Sequence, residues 1–344
     1  MKFALRLIGV AGFCLFTDAH ANDAHFGPGS MIDLSLQSAE SSLRYRYEKD
    51  SEGEVSWNGI QNLIKFDFAI QFFDSKVSLD IGVANGRNFT GAWDPILDAS
   101  RDRESTLFVR RLSLTARPNE AIELKVGSFD PVYGNGSQHS SLDEDGYIVG
   151  YRGSITLEQT GFVITGGFLG DLDRPNVIGR LHRLKELNYL QVQINQAIAE
   201  FLKASLEYQQ FDGTPYGRLA LVLDLTKLTH FMDSIAVEGL SQLRDPSGAN
   251  VVTVQLRKRL QRFVAGQDMD ISLIAVRKNP NFGRETQYPL YGRLEDGHSI
   301  RLRLRFPSIY QTRSGVRFNV GFDFQEAFSA IDVSRLDVLV GIRY

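Results

Sequence analysis

Arginine residues alternate with large apolar residues near the end of the chain, and this spacing allows one particular kind of chemistry. Arg301, Arg303 and Arg305 are separated by Leu302 and Leu304. In an extended strand, residues two apart point to the same face, so the three guanidinium groups share a face. Guanidinium groups stay charged in proteins and bind carboxylates and phosphates. The pattern therefore predicts a positively charged surface that attracts anions.

The same alternation places other charged residues on a polar face. The basic candidates are Arg44, Arg46, Lys65, Arg111, Lys125, Arg152, Lys203, Arg218, Arg257, Arg301, Arg303, Arg305, Arg317 and Arg343. The acidic candidates are Asp67, Asp80, Glu123, Glu207, Asp224, Glu238, Asp270, Asp323 and Asp337. Apart from Lys65, Lys203 and Arg257, these basic residues form the predicted lining set. The basic candidates outnumber the acidic ones on this face. The whole chain nevertheless has a net charge of −3, and this negative charge argues against nucleic-acid binding.

Residue patterns typical of catalysis are weak in this sequence. His139, Ser140 and Ser141 are adjacent, but they lie in a segment rich in glycine and serine that reads as a loop. A serine nucleophile would need a histidine held beside it by the fold. The chain contains no cysteine cluster, phosphate-binding glycine loop or zinc-binding HExxH motif. We therefore expect no enzyme activity, no cofactor and no metal site.

Strands must position the charged residues, because period-two alternation recurs along most of the chain. Between Ile64 and Phe72, apolar residues alternate with Lys65, Asp67 and Gln71, and the pattern restarts at Val77 after a short turn. Repeated over the whole chain, this pattern predicts about sixteen antiparallel strands, with about fourteen to eighteen compatible. The last three strands are the clearest, and nearly every strand has a polar face.

Connections between the predicted strands alternate in length over the first half of the chain. The segments 73–76, 117–120 and 158–161 are short, whereas 85–105, 131–146 and 170–186 are long and polar. The second half follows the rule less well, because 258–268 and 306–315 are long where short turns are expected. A soluble β-sandwich also shows alternation, but it usually contains strands that are apolar on both faces. The sequence favours an up-and-down transmembrane β-barrel, which closes its edges and encloses water.

The first residues read as an export signal. Lys2 and Arg6 precede an apolar run of about ten residues, too short to span a bilayer, and Ala19-His20-Ala21 fits a cleavage site. We predict a signal peptide over 1–21, a segment of open role over 22–40, and the barrel over 41–344. The segment 22–40 is read as a tail, a plug or an extra strand, because Ile32, Leu34 and Leu36 are out of phase with Leu43.

Two stretches resemble bacterial outer-membrane porins. The strand Leu336–Tyr344 ends in an aromatic residue, as the last strands of outer-membrane barrels do. The stretches Arg110–Leu114 and Leu124–Pro131 resemble the strand–turn–strand of the phosphate-selective (O/P) porins. The resemblance implies an outer-membrane location among lipid and lipopolysaccharide, recognition of the last strand by the barrel-assembly machinery through Tyr344, and a homotrimer.

The resemblance also implies that the third external loop, here 131–146, folds inward and narrows the channel. That loop carries Asp143, Glu144 and Asp145, and it lacks the lysine cluster of phosphate-selective channels.

Three functions are compatible with the sequence. The first is passive diffusion of small hydrophilic solutes through a water-filled pore, with a mild anion preference from arginines facing an acidic loop. The second is a specific channel for an acidic solute or polysaccharide. The third is a plugged barrel with a structural or adhesive role.

Overall fold

The computed structural model describes residues 32–73, 76–86, 93–97, 106–132, 134–136, 148–173, 175–244, 248–264, 266–282, 296–328 and 333–344. The strands are β1 (Ile32–Asp50), β2 (Val55–Phe72), β3 (Val77–Ala84), β4 (Asp94–Leu97), β5 (Phe108–Asn119), β6 (Ile122–Phe129), β7 (Ile148–Leu157), β8 (Thr160–Leu169), β9 (Tyr189–Ala199), β10 (Leu202–Phe211), β11 (Thr214–Asp224), β12 (Ser234–Gln242), β13 (Asn250–Val264), β14 (Gln267–Lys278), β15 (Gly297–Gln311), β16 (Arg317–Phe328) and β17 (Val333–Arg343). The predicted signal peptide, 1–21, lies outside the described residues.

Sixteen of these strands form a closed, up-and-down antiparallel barrel, as the sequence predicts. Each strand pairs with the next, and β17 pairs back onto β1 from Glu40↔Arg343 to Asp50↔Val333. The short β4 is additional. It pairs with β2 at Ile60–Asn62, beyond the point where β3 ends, and so extends the wall there. Closure gives every barrel strand two hydrogen-bonded neighbours, which removes the exposed edges of an open sheet.

The two faces of the barrel differ in polarity because side chains alternate along each strand. On β10, Leu206 and Tyr208 are exposed on the outside, whereas Ser205, Glu207 and Gln209 are buried on the inside. An exposed apolar exterior would be unfavourable in water but matches the lipid-facing surface of a membrane barrel. Within the described part of the chain, no helix is both long and apolar enough to cross a bilayer.

The first strand begins at Ile32, which corrects the predicted boundary at residue 41. Residues 32–40 are neither a plug nor an additional strand; they form the first part of β1 and pair with β2. A bulge between Leu36 and Ser38 inserts one extra residue into β1. Because one extra residue exchanges the two faces, the bulge explains the change of phase between Leu36 and Leu43. Residues 22–31 lie outside the described part of the chain.

Most of the short turns lie at one end of the barrel, whereas the longest connections lie at the other, together with the two-residue turn between β10 and β11. The two long segments that did not fit the rule are mostly strand, because β13 continues to Val264 and β15 to Gln311. The strands β10 and β11 are joined by Asp212 and Gly213, both with positive φ, as a type I′ hairpin requires. We call the end with the short turns near Phe73 and Glu158 the periplasmic end, as expected for such barrels.

The connection between β8 and β9 folds back onto the outer face of the barrel. It contains a 3₁₀ helix, Val177–Lys185, which contacts β5, β6, β7 and β8. The guanidinium carbon of Arg183 lies 5.0 Å from the ring centroid of Phe168, an outward-facing residue of β8. A Cβ atom at Gly166, on the same face, would lie 3.3 Å from Leu187. This connection therefore covers part of the outer face of the barrel.

A buried apolar cluster lies near the external end of the barrel. Its members include inward-facing residues from consecutive strands: Phe129, Ile148, Leu169, Tyr189, Phe211, Tyr216, Leu240, Val251 and Val276. Phe282, which follows β14, packs edge-on against Tyr216 with ring centroids 5.8 Å apart. Because inward-facing apolar side chains are here shielded from water, the external part of β6–β14 is covered from within. The opposite side of the barrel has a different, charged interior.

Candidate pore interior

Three arginines of β15 surround one carboxylate of β16. Arg303 and Asp323 are direct cross-strand partners, and Arg303 Nε lies 3.5 Å from Asp323 Oδ2. Arg305 Nη2 also lies 3.5 Å from Asp323 Oδ2, and Arg301 Nε donates a hydrogen bond to Asp323 Oδ1. Alternation places the three arginines on one face of β15, and antiparallel pairing brings Asp323 opposite the middle one. The carboxylate therefore balances only part of the local positive charge.

A second carboxylate repeats this arrangement at the seam where the barrel closes. Asp337 of β17 pairs with Arg46 of β1, and Arg46 Nε lies 2.8 Å from Asp337 Oδ1. Arg335 Nη2 lies 2.7 Å and Arg44 Nη1 3.8 Å from Asp337 Oδ2. Asp323 and Asp337 are themselves cross-strand partners. We call Arg44, Arg46, Arg301, Arg303, Arg305 and Arg335 the arginine wall.

The arginine wall carries a net positive charge. Its six guanidinium groups contact two carboxylates, Asp323 and Asp337, so four positive charges exceed the negative ones within the set. The carboxylates are nearly inaccessible, whereas the side chain of Arg303 is 30 % exposed and that of Arg46 is 17 % exposed. Charged groups inside a membrane barrel are stable where they face water or a partner. The geometry thus presents guanidinium groups, rather than carboxylates, to the interior.

A glycine and an aromatic ring help to accommodate the arginine wall. A Cβ atom at Gly321 would lie 2.6 Å from Arg305 Nη1, so glycine leaves the space that this guanidinium group fills. Arg44 donates a hydrogen bond to Gln61 Oε1 from Nε at 2.9 Å. The guanidinium carbon of Arg44 lies 4.2 Å from the ring centroid of Trp93, in the connection between β3 and β5. Stacking on an aromatic face supports a guanidinium group without neutralising its charge.

Two arginines of the predicted lining set lie at the periplasmic mouth, away from the arginine wall. Arg317 and Arg343 are cross-strand partners and both are exposed. Arg343 is four residues beyond Leu339, the partner of Arg44, which is roughly 13 Å along a strand. Both residues are on the inner-facing register, but their distance along the strands separates them from the arginine wall.

Three other predicted lining residues lie in a charge-balanced part of the interior. Arg111 Nη2 contacts Asp67 Oδ1 at 2.6 Å, and its Nη1 contacts Asp130 Oδ2 at 2.6 Å. Lys125 Nζ lies 3.7 Å from Asp80 Oδ2. Arg152 Nη2 donates to the carbonyl oxygen of Asp130 at 2.5 Å. These pairs favour structural support over anion attraction on this side of the barrel.

Arg218 faces inward, but it does not line an accessible surface, and this corrects its place in the predicted lining set. Its side chain is 0 % exposed and lies between two carboxylates. Arg218 Nη2 is 3.0 Å from Glu238 Oε2, and its Nη1 is 3.3 Å from Glu207 Oε2. Alternation gives only the face of the strand, whereas the burial of Arg218 depends on a segment that follows another strand.

That segment follows β6, at the start of the third external connection, and lies against the inner face of the barrel. The amide nitrogen of Asn135 donates to Ser205 Oγ at 2.6 Å, and its Nδ2 donates to the carbonyl oxygen of Ala204 at 2.9 Å. Nearer β6, the carbonyl oxygen of Val132 accepts a hydrogen bond from Gln191 Nε2. We call residues 134–136 the inward segment. The acidic residues predicted to narrow the channel, Asp143, Glu144 and Asp145, lie outside the described residues.

Sequence reasoning missed Arg335 and Arg110 as interior residues. The alternation pattern predicts a last strand from Leu336, whereas β17 begins at Val333, so Arg335 lies outside the predicted strand. Arg110 is buried and its Nη1 donates to the carbonyl oxygen of Asn85 at 2.7 Å. It lies at a bulge, between the pairs Gly82↔Arg111 and Val83↔Val109. A regular period-two pattern that places Arg111 inward places Arg110 outward, and the extra residue of the bulge breaks that pattern.

Metal binding has no support among the described residues, which contain no group of three histidine, cysteine, aspartate or glutamate side chains placed to hold an ion. The catalytic candidates His139, Ser140 and Ser141 lie outside the described part of the chain.

The closed sixteen-stranded barrel with a polar interior is the fold of porins, and comparison with solved structures agrees. A mutant of Rhodopseudomonas blastica porin matches with a TM-score of 0.54 and 11 % identity, over 91 % of this chain and 100 % of that one. Pseudomonas aeruginosa OccD3 (OpdP) matches with a TM-score of 0.52 and 10 % identity, over 94 % and 93 % of the two chains. At these identities the likeness establishes the fold. No protein-family model and no curated protein matches the chain.

Proposed function

We propose that this chain is an outer-membrane channel through which small hydrophilic solutes diffuse passively, with a mild preference for anions. The observation that carries the proposal is the arginine wall, whose six guanidinium groups contact two buried carboxylates. A surplus of fixed positive charge beside a water-filled passage raises the local concentration of anions and lowers that of cations. The protein acts through this field and catalyses no reaction.

The passage lies off the centre of the barrel in this proposal. The external part of β6–β14 is covered from within, and the inward segment lies against β10 and β11. The arginine wall belongs to β15, β17 and β1, on the other side of the barrel. Solutes would therefore pass along the guanidinium groups, which are accessible, rather than along Arg218, which is not. Asp143, Glu144 and Asp145 would complete a transverse field by lying opposite the arginine wall.

The cellular setting is part of the same proposal. Residues 1–21 would direct export and be removed, and the exposed apolar exterior would contact outer-membrane lipid and lipopolysaccharide. The last strand would be read by the barrel-assembly machinery. Its final residue, Tyr344, donates a backbone hydrogen bond to the carbonyl oxygen of Ala39 at 2.9 Å and so completes the seam. Assembly as a homotrimer is proposed from the porin resemblance.

Single-channel recording in a planar bilayer tests the proposal. The refolded protein should give stable conductance steps, and its reversal potential in a salt gradient should have the sign of anion preference. Replacing Arg301, Arg303 and Arg305 together by glutamine should shift the reversal potential towards the value expected for a cation-selective channel. Absence of conductance from protein shown to be folded would overturn the diffusion channel and favour a plugged structural barrel.

A specific channel for an acidic solute is the second candidate, because the arginine wall suits it equally. It predicts that conductance falls in a saturable way as one acidic solute is added. A general pore would show a small, non-saturating change under the same conditions.

A further inference from the structure

We infer that Glu207, Arg218 and Glu238 form a seat that holds the inward segment inside the barrel and thereby sets the width of the passage. Arg218 is in this view a positioning residue, not a selectivity residue. The inference rests on the proposed function for its consequence on conductance, but the seat itself is defined by contacts within the chain.

The seat is a fully buried ion cluster on three adjacent strands. Arg218 lies on β11, Glu207 on β10 and Glu238 on β12, and the side chains of Arg218 and Glu238 are 0 % exposed. Gln191 Nε2 donates to Glu207 Oε1 at 2.5 Å, and Gln209 Nε2 donates to the same oxygen. Removing one partner from such a cluster leaves an uncompensated buried charge, so the cluster is held in a single arrangement.

The inward segment contacts this cluster directly. The carbonyl oxygen of Asn135 accepts a hydrogen bond from Arg218 Nη2 at 3.4 Å. The amide nitrogen and side chain of the same residue bind Ser205 and the carbonyl oxygen of Ala204 on β10. Asn135 is six residues beyond the end of β6, yet it meets β10, four strands and roughly 19 Å farther around the barrel. The segment therefore departs from β6 and lies against the inner face of β9–β12.

A glycine at residue 136 allows this close approach. Gly136 has φ +135°, which side-chain-bearing residues rarely adopt. A Cβ atom there would lie 2.6 Å from Glu238 Oε2, 2.9 Å from Ala220 Cβ and 3.0 Å from Arg218 Nη2. The backbone at residue 136 thus packs against the buried ions with no space for a side chain. A single methyl group should separate the inward segment from its seat.

A pair of cysteines can report the position of the inward segment without relying on conductance. Asn135→Cys combined with Ser205→Cys places two thiols where the backbone of residue 135 meets the side chain of residue 205. The only native cysteine, Cys14, lies in the predicted signal peptide, so the mature protein offers a clean background. Mild oxidation of the folded double variant should form the disulfide in most molecules, as measured by mass spectrometry of peptides.

Gly136→Ala in the same background should lower the fraction of cross-linked molecules by about fivefold, the change expected when one net hydrogen bond is lost. The matched control is Gly248→Ala, because Gly248 also has a positive φ, +67°, but none of the described residues has an atom within 4 Å of an added Cβ. This control should leave cross-linking unchanged. Equal cross-linking in Gly136→Ala and the control would overturn the seat.

Conductance then distinguishes the two proposals. Without the cysteines, Gly136→Ala should raise single-channel conductance and reduce ion selectivity, whereas Gly248→Ala should change neither. If cross-linking responds as expected but no variant conducts, the seat stands and the diffusion channel fails. If Gly136→Ala loses cross-linking and the conductance of an open channel is unaffected, the inward segment does not set the width and the inference is wrong.

Discussion

At the scale of single residues, the charge of the interior depends on which groups remain accessible. Asp323 contacts three arginines and is almost fully buried, while those arginines reach the interior. Arg218 has the opposite environment, because two carboxylates and the inward segment enclose it. Residues of one type on the same face of the sheet thus have different roles. In the proposed channel, an arginine that shares one carboxylate with other arginines would attract anions, whereas Arg218, between two carboxylates, would support structure.

Two substitutions at one cross-strand pair should therefore have opposite effects. Arg303→Gln removes a positive charge and should shift the reversal potential towards that of a cation-selective channel. Asp323→Asn removes a negative charge and should shift it towards that of an anion-selective channel. Asp323→Asn should also lower the free energy of unfolding by about 3 kcal/mol, since it leaves three guanidinium groups facing one another.

Bilayer recordings in a salt gradient and denaturant unfolding measure these two effects. Arg317→Gln is the control, because Arg317 is exposed at the periplasmic mouth, where salt screens its charge. Shifts of the same sign in both variants of the pair would show that Arg303 and Asp323 do not act through their charge.

At the scale of elements, local departures from regular strand geometry determine which side chains of a strand face the interior. The bulge in β1 exchanges its faces, and the bulge in β5 brings Arg110 inward beside Arg111. A third feature is a row of glycines, where Gly150 of β7 pairs with Gly127 of β6 and Gly167 of β8. A Cβ atom at Gly150 would overlap the carbonyl oxygen of Gly166, so the backbones approach closely at this row.

Gly150→Ala should consequently hinder folding of the barrel. We expect a loss of about 1–3 kcal/mol, the usual cost of forcing an extra methyl group into packed structure. The folded fraction can be measured after refolding into detergent, by the resistance of the compact barrel to unfolding in unheated gel samples.

Gly153→Ala on the same strand provides the comparison, because its Cβ would meet only Leu124 Cδ2 at 3.7 Å. Equal folded fractions for the two variants would show that the close approach at Gly150 does not limit folding.

At the scale of the whole molecule, closure brings the two ends of the chain together and creates the arginine wall. Arg44 and Arg46 are separated from Asp337 by most of the sequence, yet β1 and β17 are neighbours. The seam includes Ser42↔Gly341, where a Cβ atom at Gly341 would lie 2.5 Å from Ser42 Oγ. An open sheet would leave these strands apart and the carboxylate of Asp337 without Arg46.

Ser42→Cys combined with Gly341→Cys should therefore form a disulfide across the seam when the folded protein is oxidised. The expected product is a cross-link between the peptides that contain residues 42 and 341, identified by mass spectrometry. A second pair, Ser42→Cys with Gly153→Cys, places the thiols on strands that are not neighbours and on opposite faces of the sheet, and it should stay reduced. Unlinked thiols at 42 and 341 in protein with a native strand content would contradict closure between β1 and β17.

The sequence by itself determined the barrel and the faces of its strands. A strand between lipid and water needs one apolar and one polar face. Apolar and polar residues therefore alternate along each strand, and this pattern can be seen in the sequence of the strand alone. The closed barrel was predicted correctly for this reason. The same alternation places Arg301, Arg303 and Arg305 on one face of β15, where they contact Asp323. The aromatic last residue and the apolar outer positions are likewise local features of the chain.

Only the tertiary structure decided which arginines meet water and which are buried. Pairing across the seam joins Arg46 to Asp337, and the inward segment covers Arg218 from a strand far away. The bulge positions that move Ile32–Leu36 and Arg110 depend on the partner strand, which alternation within one strand does not show. Burial and ion pairing are contacts between distant parts of the chain, so they follow from closure and from loop placement rather than from local pattern.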